Sequence, residues 1–247
     1  MQYYSLAGRA AIVTGAGHGI GRAAAIRLAE LGAKVTVCDI DGESAEAVAK
    51  EIIEQGQRAI ASKCNVCFLE DIQKTVVQTA DAFGRVDILV NNAAGGGGGM
   101  QLSEVGYKEW DRLILLDLTS AYMFSKEALP YMMEQNYGKI VNISSGAGIV
   151  GDGTDIHYAT AKAGLIGMTK SMAQQVAKYH INVNALGVGL TDTRMSRRRG
   201  LEEQIPSILW PRIGKPEDQA NAIAFLVSDA AEYITGQVVC PNGGSWM

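Results

Sequence analysis

Residues 9–41, RAAIVTGAGHGIGRAAAIRLAELGAKVTVCDID, decide the reading of the fold. RAAIVT is a short apolar run rich in strand formers, and TGAGHGIG is a glycine-rich turn. RAAAIRLAELGA carries helical periodicity that stops at Gly32, and KVTVCD reads as a second strand. A glycine turn between a buried strand and a helix lets backbone approach a pyrophosphate, whose charge the helix N-terminus meets. The spacing is not G-x-G-x-x-G: Gly15 and Gly17 take its first two positions, but Ile20 stands at the last. The pattern present is T-G-x-x-x-G-x-G, on Thr14, Gly15, Gly19 and Gly21.

Asp39 closes the second strand. A carboxylate there can accept hydrogen bonds from both hydroxyls of an adenosine ribose. It would repel a 2′-phosphate by up to ~4 kcal/mol per charge pair at about 4 Å and an effective dielectric of ~20, which favours NAD over NADP. His18 and Arg22 could soften that preference. The plainer reading makes Asp39 a turn residue beside Asp41 and Gly42.

The alternation continues. Helices are expected over about 42–55 and 69–83, strands near 58–64 and at VDILVN, then a long helix over about 109–135 interrupted at Pro130. KIVNIS, ending in Ser144 and Ser145, is a buried strand that delivers a hydroxyl at its carboxyl end, where open parallel sheets bind ligands. Next comes a helix over about 158–178, on which Tyr158 and Lys162 stand four residues apart and share a face. A free tyrosine has a pKa near ~10, and bringing it to around ~7 takes about 4 kcal/mol. An ammonium roughly 4 Å away at a dielectric of ~20 supplies that much, so the pair suits an acid/base tyrosine. Tyr and Lys at this spacing also occur by chance. INVNAL is a sixth strand, Pro216 opens a last helix, and TGQVVCPNGG reads as the final strand and turn.

Thr14 to Gly21, Asp39, NNAA at Asn91 to Ala94, Ser145 and YATAK at Tyr158 to Lys162 together resemble the short-chain dehydrogenase/reductase family, in order and over nearly the whole chain. The resemblance implies one Rossmann-type domain over 1–247: a doubly wound parallel α/β sheet of about seven strands, with helices on both faces and a variable substrate lid at about 190–213. The thirteen-residue step to Tyr158 matches the family's serine and selects Ser145 over Ser144. The resemblance makes Tyr158 the acid/base, and Lys162 the group that lowers its pKa and holds the nicotinamide ribose. Ser145 bonds the substrate oxygen. Gly15, His18, Gly19, Ile20, Gly21, Asp39 and Ile40 go to the cofactor, with Asn65 and Val66 flanking the adenine. Asn91 and Asn92 brace the sheet and touch the cofactor, while Val188, Gly189, Thr191 and Thr193 form the corner near the nicotinamide.

Three departures stand out. LLDLTSAYMF has Asp117 where the family has the asparagine that holds a relay water, so a carboxylate there holds the water, shifts the pH optimum or is a drifted helix position. Val188 replaces a proline, which loosens the corner. Gly95 to Gly99 is either a floppy connector or room beside the nicotinamide for a bulky substrate. Small residues on the 158–178 helix, with the resemblance, imply a homotetramer or homodimer. Trp210 packs on substrate or only on the lid.

The chain is 247 residues long, 47% hydrophobic, and carries a net charge of −4, which argues against nucleic acid as a partner. The cluster Arg197 to Arg199 reads as a solvated loop. No apolar run reaches the ~18 residues of a membrane span, and MQYYSLAGRAAIV lacks a charged leader before an apolar core, so a cytoplasmic protein is expected. Cys64 and Cys67 form a lone C-x-x-C without the partners of a zinc site; structural cysteines near strand ends are the reading, and no metal is expected. Three functions remain. The leading one is an NAD-dependent oxidoreductase interconverting a secondary alcohol and a ketone. The second is a 3-oxoacyl-thioester reductase, which Asp39 disfavours because reductive biosynthesis in this family usually draws on NADPH. The third is a non-catalytic NAD(H)-sensing protein.

Overall fold

The computed structural model describes residues 2–96, 98–197 and 208–247. Seven strands form one sheet in the order β3-β2-β1-β4-β5-β6-β7: β1 Ala10–Thr14, β2 Lys34–Asp39, β3 Arg58–Lys63, β4 Ile88–Asn91, β5 Gly138–Ser145, β6 Ile181–Val188 and β7 Val238–Val239. Every pairing is parallel. The order reverses between β1 and β4, so the crevice of the doubly wound sheet opens above Thr14 and Asn91.

The helices are α1 Gly19–Glu30, α2 Gly42–Glu54, α3 Leu69–Phe83, α4 Tyr107–Ile114, α5 Ser120–Gln135, α6 Ala147–Val150, α7 Ile156–Val176, α8 Arg194–Arg197 and α9 Pro216–Val227. Alternation along the strands builds both layers of core. Val13, Val37 and Val90 pack with α1, α2 and α9, whereas Ile12, Cys38 and Leu89 pack with α3, α5 and α7. All four cysteines are free thiols, and Cys38 and Cys64 are buried where β2 and β3 end.

The helix expected over 109–135 starts earlier and is not broken at Pro130, which lies inside α5. Its irregularity is a π turn, Leu115–Thr119, joining α4 to α5 with Asp117 at its centre. The last strand shrinks to Val238–Val239, and most of TGQVVCPNGG is loop and turn. Gly97 lies outside the described residues, as does the 198–207 part of the expected lid with Arg198 and Arg199.

At the opposite end of the β1–β4 seam, the fully buried Asp87 carboxylate accepts from the Ala10 N–H at 2.8 Å and ion-pairs with Arg85 and Arg9. Asp87→Ala leaves that N–H without an acceptor and two guanidiniums without a counter-ion. It should lower unfolding free energy by about 2–4 kcal/mol, read from the urea midpoint, with Asp87→Asn falling between it and the parent.

Candidate active site

The carboxyl ends of β1, β2, β4, β5 and β6 converge on a cavity of about 660 Å³. The β1–α1 turn forms its floor. Gly15 and Gly19 have φ of 62° and 54°, left-handed values that glycine adopts without strain. At Gly21 a Cβ would lie 2.2 Å from the Gly15 carbonyl oxygen and 2.5 Å from the Asn92 amide, so only glycine lets α1 start against the turn. Thr14 latches the turn to the next strand: its Oγ1 accepts from the N–H groups of Asn92 and Ala93, each at 2.9 Å. The Asn92 side chain returns hydrogen bonds to the Thr14 and Gly15 carbonyls.

Asp39 is aimed by backbone. One oxygen accepts from Gly17 N–H at 2.8 Å and the other from Asp41 N–H at 3.0 Å. A side chain at Gly17 would collide with that carboxylate and with Ser44. Arg22 is held by Glu51 through two hydrogen bonds of 2.6 and 2.7 Å, which engages the cation that could have softened the charge of Asp39. His18, Ile20 and Ile40 line the cavity beside it.

On the far side, β5 and α7 bring Ser145, Tyr158 and Lys162 to the same cavity. Ser144 is spent on structure, its hydroxyl donating to the Lys162 carbonyl at 2.8 Å and tying strand to helix. The Ser145 hydroxyl accepts from Ala147 N–H at 3.3 Å. Lys162 is buried; its Nζ donates to the Ile143 carbonyl at 3.1 Å, stands 5.5 Å from the Tyr158 ring centroid and lies 3.2 Å from Asp117 Oδ2. Burial pulls the Lys162 pKa down, but the Asp117 carboxylate and Tyr158 outweigh it, and the net shift is upward.

Asn65, Val66, Val188, Gly189, Thr191 and Thr193 also reach the cavity. Gly21, Asn91 and Asp117 do not line it. Asn91 sits within the sheet, its amide donating to Asn142 and Ser125 at 2.8 and 3.1 Å, so its part is to brace β4 against β5 and α5. At the corner after β6, Gly189 packs on Asn242, where a Cβ would meet backbone at 2.5 Å, and Thr191 is bridged to Gly214. Within the glycine run, Gly95 packs on Leu116 and donates its N–H to Asp117 Oδ1 at 2.7 Å, while positions Gly98 and Gly99 face open space.

Leu116 and Trp246 line the cavity without having been singled out in the sequence. The indole of Trp246 lies against Gly146, where a Cβ would fall 2.5 Å from the ring, and its carbonyl accepts from Asn242. A tryptophan next to the chain end carries no local signal for this placement; the glycine directly after the strand-end serines is the only trace.

A glycine turn and an anchored acid above the switch point of a parallel sheet are the features by which such sheets bind dinucleotides, and Ser145, Tyr158 and Lys162 share that cavity. The family model described as enoyl-(acyl carrier protein) reductase matches residues 15–245. The 3-oxoacyl-(acyl-carrier-protein) reductase of Synechocystis is 39% identical over 245 residues, covering 98% of this chain and 99% of that protein. The 3-oxoacyl-(acyl-carrier-protein) reductase FabG of Escherichia coli is 39% identical over 246 residues, at 97% and 98% coverage. Among solved structures, a 7α-hydroxysteroid dehydrogenase in complex with NADH and 7-oxo glycochenodeoxycholic acid superposes with TM-score 0.94 at 32% identity, covering 98% of this chain and 96% of that one. A putative short-chain alcohol dehydrogenase from Sinorhizobium meliloti gives TM-score 0.94 at 34% identity, with 98% of each chain covered. The chain belongs to the short-chain dehydrogenase/reductase family.

Overpacking the turn should disable it. Gly21→Ala forces apart the Gly15 carbonyl and the Asn92 amide at a cost of about 1–3 kcal/mol. Titration calorimetry should then show binding of a nicotinamide dinucleotide weakened roughly tenfold or more, with a lowered Tm.

Proposed function

We propose that the protein is an NAD(H)-dependent oxidoreductase that interconverts the 3-hydroxy and 3-oxo forms of an acyl thioester. The observation that carries the chemistry is the placement of Ser145, Tyr158 and Lys162 on the cavity that also holds the glycine turn and Asp39. The names of the relatives, matched over nearly their full length, support the thioester. This reverses the order in which the sequence alone ranks the substrates.

The residues present fit a nicotinamide dinucleotide. The turn at Gly15 to Gly19 would hold the pyrophosphate, and Asp39 would accept hydrogen bonds from the adenosine ribose. Asn65 and Val66 would hold the adenine, and Val188 to Thr193 the nicotinamide; all but Ala16, Gly17 and Asp192 of these line the cavity, and Gly15 and Gly19 carry the turn's left-handed φ. Once bound, the nicotinamide supplies or accepts the hydride. In reduction, Ser145 donates a hydrogen bond to the carbonyl oxygen and Tyr158 gives that oxygen its proton; in oxidation, the Tyr158 phenolate takes the proton back. Lys162 supplies positive charge beside the phenol. Asp39 disfavours a 2′-phosphate, by up to ~4 kcal/mol per charge pair at about 4 Å and a dielectric of ~20.

A second reading, oxidation of a simple secondary alcohol, is favoured by the hydroxysteroid dehydrogenase neighbour. A homodimer or homotetramer acting in the cytoplasm completes the proposal. Phe68, Leu69 and Tyr122 are exposed apolar side chains on and beside α3 and α5 that association would cover. No helix among the described residues is long and apolar enough to cross a membrane.

Assays of acetoacetyl-CoA, cyclic secondary alcohols and a 7-hydroxysteroid, each with both cofactors, test the reading. Thioester turnover faster with NADH than with NADPH is expected. Turnover of alcohols alone would transfer the assignment to the second reading, and faster rates with NADPH would overturn the cofactor. Tyr158→Phe should lower kcat by roughly 10²–10⁴-fold while NADH binding stays within about threefold. Biological activity that survives this change would point to the sensor.

A further inference from the structure

We propose that Asp117 is a positioning residue that offsets the charge of Lys162, so that the Tyr158 phenol ionises at higher pH than the helical Tyr–Lys pair by itself would set. The inference rests on the oxidoreductase reading for its catalytic consequence, but not for its electrostatics. Asp117 lies in the π turn with its side chain fully buried, and Lys162 is 3% exposed. One carboxylate oxygen is pinned by Gly95 N–H at 2.7 Å and the other stands 3.2 Å from Nζ. A fixed carboxylate this close to a buried ammonium makes the pair neutral overall. An ammonium alone would draw a proton off the neighbouring phenol; beside a counter-ion it draws less.

The remaining charges leave this balance in place. Arg112, on α4, feels Asp117, but its guanidinium is held by Glu109 through hydrogen bonds of 2.6 and 2.7 Å. Cys67, after β3, faces Asp117 and Arg112, and burial raises its thiol pKa. His157, on α7, sits between Asp155 at 3.2 Å and Glu109 at 3.7 Å. Asp152, Arg194, His18 and Asp39 also line the cavity. On β5, Ile143 accepts from Lys162 Nζ and Ser144 donates to the Lys162 carbonyl, and neither carries a charge.

The rival role, taken from the asparagine that the family has here, is to hold a relay water. The two roles separate on Asp117→Asn, which retains an acceptor for Gly95 N–H and removes the charge. Ultraviolet difference titration of the apo-protein, with Tyr158→Phe in each background as the blank, reads the Tyr158 phenolate directly. Asp117→Asn should move its midpoint toward acid by about one pH unit or more, and the acidic limb of kcat/KM for 3-hydroxybutyryl-CoA oxidation should move with it. A midpoint that stays put or moves toward alkali overturns the inference, as does a uniform fall in kcat with both midpoints unmoved. Asp117→Ala should shift the same way and serves if Asp117→Asn does not fold. If the spectroscopic midpoint moves but no variant, nor the parent, turns over any substrate, the charge offset stands and the enzyme reading falls.

Discussion

The latch between Thr14 and Asn92 is the constraint on which the site depends. Hydrogen bonds in both directions clamp the carboxyl ends of β1 and β4 side by side where the strand order reverses. The crevice follows from that adjacency, because the crossovers leave in opposite directions on either side of it. Helix α1 can begin above the latch only because Gly21 has no side chain to strike the Gly15 carbonyl or the Asn92 amide. Each part of the cavity is referred to this seam: Asp39 one strand to one side, and Ser145 with Tyr158 one strand to the other.

The site joins two electrostatic arrangements of different character. At the nucleotide end the carboxylate of Asp39 is aimed by two backbone N–H groups and stays half-buried, so it can meet a ribose. At the chemical end a lysine is enclosed with a carboxylate against it. Burial opposes the lysine's charge, and the carboxylate more than compensates. The buried ammonium is therefore kept charged by an anion held against it.

Much of this was legible before any coordinates. Strand, glycine turn, helix and strand over residues 9–41 are local patterns, and the helical spacing of Tyr158 and Lys162 puts both on one cavity. Fine boundaries were less legible. A π turn needs only one widened hydrogen-bonding step and leaves the apolar spacing of LLDLTSAYMF nearly unchanged, whereas Pro130 looked like a break and is housed within α5. The packing of Gly189 on Asn242 was not legible either, because that partner lies some fifty residues on in the chain.

What the amino-acid order determined alone is whatever depends on near neighbours: the parallel α/β alternation, the glycine turn, the acid ending β2, and the turn-to-turn pairing of phenol and amine. Tertiary structure decided which charges meet. It gave Arg22 to Glu51, Asp117 to Lys162, and the face of Trp246 to Gly146. Those partners lie on different elements, joined by packing of the whole sheet rather than by any repeat along the chain, so no periodicity or spacing in the sequence records them.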